Sequence, residues 1–404
     1  MLPMLRQEKP FATLLAGNLL SKIGDGVHEF VFIITVLKVT GNELTSAGLI
    51  YFFRFIPYLL LGPLGGALAD RLSRRQIMFW SDAARMAVTA GFCVLLMTGQ
   101  ATPAWVALIG MAMTALRTLF QPAFQSAIPD LVRGEHLPQA NGATQVAGEI
   151  GGMVGPALGA AALAFVPSAG HVLLLDALTY AISALCVLVV RLPRPAAADG
   201  AKLALKSLYG DFMANLAEVG RKRDLFVTIV YSSACILLVG GALRILIPAL
   251  MKHHGHADSM VGYALSLIAA GTILGSLLSA HVTRDFSTRQ LMRYWGVYGV
   301  VLAMLPLFGS LLAATLAGCL VLGFAGAFVD VALPTNIQQL SSQHNMGKNF
   351  SLFSTLANTG EALSGSFAGA LVLISSVAVS LSLIGLLIAS VAFVGCKKAV
   401  TQHG

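Results

Sequence analysis

Apolar residues in this chain gather into twelve runs of membrane-spanning length, separated by short polar stretches. A helix needs about twenty predominantly apolar residues to cross a bilayer. Six such runs lie near Phe11 to Leu37, Leu44 to Ala67, Ile77 to Met97, Pro103 to Ala127, Asn141 to Phe165 and His171 to Val190. Six more lie near Leu225 to Met251, Ser259 to His281, Gln290 to Leu311, Ala313 to Pro334, Phe350 to Ile374 and Val377 to Cys396. Between the sets, Arg191 to Asp224 turns polar and basic and opens with Pro193 and Pro195. That change predicts a linker with an amphipathic surface helix. The pattern predicts an all-α membrane protein: an N-terminal six-helix bundle over 1–190, a basic linker over 191–224 and a C-terminal six-helix bundle over 225–404.

Polar residues also break the apolar pattern inside the runs. The stretch Leu20 to Phe32, LSKIGDGVHEFVF, carries Lys22, Asp25, His28 and Glu29 within a span. Each charged group there costs about 2.5–3.5 kcal/mol on insertion scales. The three-then-four spacing of Lys22, Asp25 and Glu29 places them on one helical face. A charged face in a span fits a working site, and it also fits a clamp between helices.

Composition agrees with the pattern. Of 404 residues, 56% are hydrophobic and 11% charged, with mean hydropathy +0.79, far too apolar for a soluble chain of this size. The 41 glycines suit close helix approach. Cys93, Cys186, Cys235, Cys319 and Cys396 lie far apart without metal-ligand spacing and read as core thiols. Arg6 and Lys9 precede a run that is long, polar in its middle and without a small-residue cleavage site, so it is expected to stay as the first helix.

With both termini inside, 19 of the 26 basic residues fall in cytoplasmic segments, Lys38 and Lys252 fall on the other side, and five lie within helices. Cytoplasmic loops collect lysine and arginine. The +8 net charge thus marks topology and contact with anionic membrane lipids rather than nucleic-acid binding. The halves also repeat one another. At an offset of 212, Pro122 matches Pro334 and Gly148-Glu149 matches Gly360-Glu361. At 214, Ser73 and Arg75-Gln76-Ile77-Met78 match Ser287 and Arg289-Gln290-Leu291-Met292, with Asp70-Arg71 answered by Arg284-Asp285. Such duplication is common in secondary transporters.

After the second run the chain reads Gly62-Pro-Leu-Gly-Gly-Ala-Leu-Ala-Asp70-Arg71-Leu-Ser73-Arg74-Arg75. An acid at a helix end can hold neighbouring arginines through charge-assisted hydrogen bonds. Through Gly66, Leu68, Asp70, Arg71, Arg74 and Arg75 the loop resembles the signature G-x-L-x-D-R-x-G-R-R of the major facilitator superfamily, with Ser73 in place of its second glycine. The resemblance implies twelve helices in two pseudo-symmetric bundles, and for this loop a conformational latch. In the fifth helix, Gly142, Gly151, Gly155, Pro156 and Gly159 are similar to the pattern of the superfamily's exporters, with Ala160 replacing its last glycine.

Asp82 and Arg85, Gln121-Pro122-Ala123, Ile128-Pro129-Asp130-Leu131-Val132, Ala140-Asn141-Gly142 and Asp176-Ala177-Leu178 resemble the macrolide-efflux and siderophore-exporter branch. Gly24-Asp25, Leu243-Arg244 and Asn358-Thr359-Gly360-Glu361 resemble bacterial lysophospholipid transporters, although the lysine expected in the fourth helix is missing. The resemblances imply a bacterial inner-membrane protein with cytoplasmic termini that acts as a monomer.

At about 1.5 Å per residue, Asp25, Glu29, Arg244 and Glu361 lie roughly 21, 27, 28 and 18 Å from the cytoplasmic ends of their helices, and Arg54 roughly 15 Å in from the outside. Helices one and seven of the superfamily fold face each other, so Arg244 is expected to approach Asp25 or Glu29. Glu361, and after it Glu149, is expected to be a carboxylate without a fixed partner, suited to proton pickup. Lys22 is expected to neutralise its neighbours, and Asp82 and Arg85 to form a local pair near the cytoplasmic end. Arg117 resembles the arginine of the superfamily's fourth-helix motif. His253, His254 and His256 read as an exposed outer loop.

These residues point to proton-coupled export of an amphiphilic small molecule, a drug, macrolide-like compound or siderophore, by alternating access. A lysophospholipid flippase is the first alternative, with Arg54 or Arg244 meeting the phosphate. A siderophore importer or uncoupled facilitator is the second. No nucleophile with a base, metal set or phosphate loop marks an enzyme, and no cofactor is expected beyond a proton gradient as energy source.

Overall fold

The computed structural model describes residues 2–41, 44–193, 205–256, 258–282, 287–343 and 345–399. Twelve long helices run back and forth: α1 Lys9–Val39, α2 Leu44–Arg71, α3 Arg74–Met97, α4 Pro103–Leu131, α5 Leu137–Leu163, α6 Ala169–Val189, α7 Arg223–His253, α8 Asp258–Val282, α9 Thr288–Met304, α10 Leu312–Leu340, α11 Met346–Ile374 and α12 Val377–Lys398. A short helix, Leu2–Gln7, precedes them, the linker helix spans Leu205–Arg221, and no strand occurs among the described residues. Among the described residues, nine of the twelve are long and apolar enough to cross a membrane, and α2 contributes the shorter apolar stretch Leu49–Gly62. Helices α1, α2 and α11 all put charged side chains into the cavity described below.

Local chemistry sets the helix ends. Thr102, Ser287 and Ser376 accept hydrogen bonds from the amides of Trp105, Gln290 and Val379 at the starts of α4, α9 and α12. Gly41, Gly99 and Gly255, at φ of 62°, 71° and 76°, follow the ends of α1, α3 and α7, where only glycine takes a left-handed turn without strain. Ser73 stands before α3 with φ −61°, extended backbone that needs no glycine, so the signature loop accommodates its departure.

Helix pairing repeats across the halves. In the first, α1 packs on α5, α2 on α4, and α3 on α6; in the second, α7 packs on α11, α8 on α10, and α9 on α12. The sequence repeat has the same register: Arg74 opens α3 as Thr288 opens α9, and Pro122 and Pro334 both lie inside their helices. The counterpart Arg284-Asp285 lies outside the described residues. Between the halves, α2 packs on α11, and α5 on α8 and α10.

The glycines of α5 set how closely it meets α1. A Cβ on Gly151 would lie 2.5 Å from Lys22 Cβ, one on Gly155 would lie 2.5 Å from the Ile23 carbonyl oxygen, and one on Gly159 would lie 3.0 Å from the Phe30 ring. That spacing is the expected exporter-type pattern, and Gly142 is buried on the same helix. The stripe seats the one helix that carries Lys22, Asp25 and Glu29.

Helix α7 is widened by two π-helical turns, Val227–Tyr231 and Ala242–Leu246. Pro248, lacking an amide proton, leaves the Arg244 carbonyl without its usual partner, and the second turn widens at that point. Arg244 sits on it.

The expected basic linker is a helix packed on α2 and α11. Asn215 Nδ2 donates to Asn349 Oδ1 at 3.0 Å and Asn345 Nδ2 donates to Glu218 Oε2 at 2.8 Å, tying it to the start of α11. Residues 194–204 of the linker lie outside the described residues.

Replacing Gly155 with leucine is expected to cost about 1–3 kcal/mol by overpacking, lowering the thermal unfolding midpoint of detergent-solubilised protein. Gly91→Leu, where the added Cβ meets nothing within 4 Å, is the size-matched comparison. Equal midpoints for the two variants would contradict the packing role of the α5 stripe.

Candidate functional site

Between the halves lies a cavity of about 550 Å³ walled by α1, α2, α3, α4, α5, α6, α7 and α11. Its ionisable lining is Lys22, Asp25, His28 and Glu29 from α1, Arg54 from α2, Arg85 from α3, Arg117 from α4, Arg244 from α7 and Glu361 from α11. The α1 spacing does what its periodicity requires, presenting Lys22, Asp25 and Glu29 to one space.

The charges are held in four groups. Asp25 Oδ1 accepts a 2.6 Å hydrogen bond from the Tyr180 hydroxyl and lies 3.8 Å from Arg85 Nη1, while Lys22 Nζ stands 3.5 Å from its Oδ2. Behind it, Asp82 is fully buried, receiving Arg85 Nη2 at 2.5 Å and Ser183 Oγ at 2.7 Å. The Arg85 guanidinium is sandwiched 4.6 Å from the rings of both Phe120 and Tyr180. Nearer the face opposite the termini, Arg54 grips Glu29 through both guanidinium nitrogens, at 3.0 and 2.5 Å, and lies 4.6 Å over Phe32. On the other wall Arg244 pairs with Glu361.

The expected approach of Arg244 to Asp25 or Glu29 therefore does not occur in this conformation. Both acids find cations within their own half, and Arg244 turns to the acid of its neighbour α11. Glu361 correspondingly has a partner, contrary to the reading of it as an unpaired carboxylate. The pair is also open to the cavity, with side-chain exposures of 68% and 35%, whereas the Asp82–Arg85 pair is nearly sealed. The expected local pairing of Asp82 with Arg85, and of Lys22 with Asp25, is present. Arg85 nevertheless reaches the cavity at mid-helix rather than lying near the end of α3. Glu149 accepts a hydrogen bond from Gln145, one turn earlier in α5, and is not among the cavity's lining.

Two partners were not singled out by sequence reasoning. Tyr180 orients Asp25, and a buried triad joins His28 Nδ1 to Asp176 Oδ2 at 3.0 Å, with Thr89 Oγ1 donating to the same oxygen at 3.3 Å. His28 was visible as a polar residue in an apolar run; Tyr180 and Thr89 carry no such signal. His256 Nε2 donates to the Gly309 carbonyl at 2.9 Å. No cluster of three or more His, Cys, Asp or Glu suited to a metal ion occurs among the described residues, and all five cysteines are free.

Toward the face that carries the chain termini, the halves are hydrogen-bonded together. Asn141 Nδ2 donates to Thr335 Oγ1 at 2.9 Å and to Gln338 Oε1 at 2.6 Å, Gln338 Nε2 donates to the Gln125 carbonyl at 3.1 Å, and Ser351 donates to the Gly62 carbonyl. Arg74 of the signature loop binds Asp130 Oδ2 at 2.5 Å and the Ser126 carbonyl at 2.7 Å, then reaches the Gln343 carbonyl of the other half at 3.2 Å. Arg75 donates to the Leu188 carbonyl. Gly66, Asp70 and Arg71 belong to α2, and their side chains lie outside the described residues.

Residues 14–365 match the family description Major Facilitator Superfamily. The chain belongs to that superfamily. Macrolide efflux protein A of Streptococcus pyogenes is 23% identical over 353 residues, covering 85% of this chain and 84% of that protein. The enterobactin exporter EntS of Escherichia coli is 26% identical over 311 residues, covering 76% and 72%. Solved superfamily structures share the fold. A bacterial homologue of the iron transporter ferroportin in an outward-facing state superposes with TM-score 0.75 at 20% identity, covering 96% of this chain and 99% of that one. The transporter FucP, in its outward conformation, gives 0.75 at 15% identity, covering 97% and 99%.

Within this superfamily frame the buried Asp82–Arg85 pair reads as the fixed part of the site. Arg85→Met leaves a buried carboxylate without its cation and is expected to destabilise the protein by about 3–5 kcal/mol. Thermal unfolding checks it, with Asp82→Asn/Arg85→Met expected to lose less. A single variant as stable as the parent would show that the pair does not hold this wall.

Proposed function

We propose that this multi-pass membrane transporter exports an amphiphilic small molecule in exchange for protons, by alternating exposure of the central cavity. The observation that carries the reading is the Arg244–Glu361 pair: two opposite charges inside a mid-membrane cavity, close enough to pair yet open to solutes. A proton on Glu361 removes its attraction for Arg244, so protonation and cargo binding have one pair of side chains to compete for. Similarity to macrolide efflux protein A and the enterobactin exporter supports outward movement of small molecules.

The distribution of basic residues supports a bacterial inner-membrane protein with both termini in the cytoplasm. On that orientation the hydrogen bonds of Asn141, Gln338, Ser351 and Arg74 close the cytoplasmic side, and the cavity faces outward. Rocking the halves to the other state requires those bonds to open. Arg74 is the link between the signature loop and this closure, holding Asp130 within its own half and a carbonyl of the other. The energy source is the proton gradient, with no cofactor, and the monomer is the working unit. Arginines in an amphiphile-sized cavity also fit the phosphate of a lysophospholipid, the second reading.

In proteoliposomes, a panel of a macrolide, enterobactin and staphyloferrin A is expected to include a cargo whose movement drives measurable proton flux. Glu361→Gln, which cannot exchange a proton, is expected to abolish most of that coupled flux. Unchanged coupled transport by Glu361→Gln would contradict the assignment. Transport of a spin-labelled lysophospholipid without competition from the panel would favour the second reading.

A further inference from the structure

Five cations line the cavity, and four of them are spoken for. Lys22 stands beside Asp25, Arg54 is forked onto Glu29, Arg85 is held by Asp82 with Asp25 beyond it, and Arg244 meets Glu361. The fifth, Arg117, makes no ion pair and no hydrogen bond among the described residues, although it is exposed into the cavity. It sits near the middle of α4, about 21 Å from the helix start at 1.5 Å per residue. The open cavity lets water hydrate its charge. A solute that displaces that water compensates the guanidinium if it is an anion, and not if it is a cation or neutral.

A second feature places Arg117 where a cargo must pass. Toward the termini lies a smaller chamber of about 220 Å³, which shares Tyr58, Arg117 and Asn358 with the main cavity. Gln121 and Gln125 follow Arg117 at four-residue intervals, so one face of α4 leads from the guanidinium into this chamber. Both line it, and Gln125 Oε1 is buried there without a hydrogen-bond partner. Phe350 and Phe353 supply the chamber's apolar side, as Tyr51 and Phe55 do above. Arg117 thus stands at the waist between two spaces, the second lying beside the Gln338–Gln125 bond of the closure near the termini. It faces both without moving.

We propose that Arg117 is the anion-anchoring residue of the transport site, and that the cargo is an amphiphile bearing an oxyanion, a carboxylate or phosphate, next to an aromatic or other apolar body. The proposal rests on the export reading only in calling the bound molecule a cargo. The oxyanion accepts the guanidinium's paired N–H donors from the main cavity in this state. After the halves rock, it leaves past the amides of Gln121 and Gln125. Lys22, Arg54 and Arg85 stay with their own acids, and Arg244 leaves Glu361 only when that acid takes a proton, so Arg117 is the standing anion site among so many arginines.

The test is equilibrium binding to the full chain in nanodiscs, without a gradient, read by fluorescence anisotropy against empty nanodiscs. The probes are 1-pyrenebutyrate, the neutral 1-pyrenebutanol and the cationic 1-pyrenebutylamine, which share one apolar body. Saturable binding of the acid is expected, about tenfold or more tighter than the alcohol, the effect of one charge-assisted hydrogen bond. Arg117→Gln is expected to abolish that preference and Arg117→Lys to keep part of it, in protein whose gel-filtration profile and thermal midpoint match the parent. Displacement of the bound acid by lysophosphatidylglycerol would assign the oxyanion to a lipid headgroup, and displacement by 1-naphthylacetate but not by the lipid to a soluble acid. Absence of saturable acid binding, equal binding of the alcohol or amine, or a preference that survives Arg117→Gln would overturn the proposal. Because no transport is measured, a failure here leaves the export reading standing, and loss of proton-coupled export with anion binding intact would be the reverse case.

Discussion

The constraint on which this structure depends is that charge inside a bilayer must find a partner or a water-filled space. Among the described residues nine helices are apolar enough to cross a membrane, while α1 and α11 are interrupted by charged and polar residues. Helices α1, α2 and α11 bring Lys22, Asp25, Glu29, Arg54 and Glu361 to the central cavity, where cations from α3 and α7 pair with Asp25 and Glu361. Pairing within each half makes the charges tolerable. It also separates a sealed pair, Asp82 with Arg85, from open ones that solutes reach.

Packing follows from the same need. A charged α1 must be held with its polar face toward the cavity, and the glycine stripe of α5 seats it backbone to backbone. Ordinary side chains would stand α1 off and turn the charges away. On the second half, the widened turn at Arg244 plays the corresponding part in α7. The two halves then meet through α2 with α11 and α5 with α8, leaving the polar closure near the termini to a few amide and arginine bonds. Such bonds are individually weak in net terms, about 0.5–1.5 kcal/mol each, which suits a contact made in one state and broken in another.

Much of this was legible in the sequence. Twelve apolar runs gave twelve helices, the offset repeat of Pro122 with Pro334 matched equivalent helix pairs, and the α5 spacing named its own packing face. The residues of the site were legible because lysine, aspartate, glutamate and arginine stand out in apolar runs. Their partners were not, because pairing depends on helix rotation and on which acid lies nearer, neither of which the chain order encodes. Arg244 reaches Glu361 rather than Asp25 for this reason, since α7 packs on α11 while α1 packs on α5 and α6. Tyr180 and Thr89 stayed hidden because a tyrosine or threonine in an apolar helix looks like packing until a carboxylate is found beside it.

The proposed mechanism exposes one cavity alternately, trading closure near the termini for closure on the opposite face. Distances between spin labels read this directly, with one pair at Arg133→Cys and Ser342→Cys across the terminal face and another at Lys38→Cys and Lys252→Cys across the opposite face, in a background lacking the five native cysteines. Moving reconstituted protein between mildly acidic and mildly alkaline buffer is expected to lengthen one distance while the other shortens. Two distances that stay fixed, or that lengthen together, would contradict it.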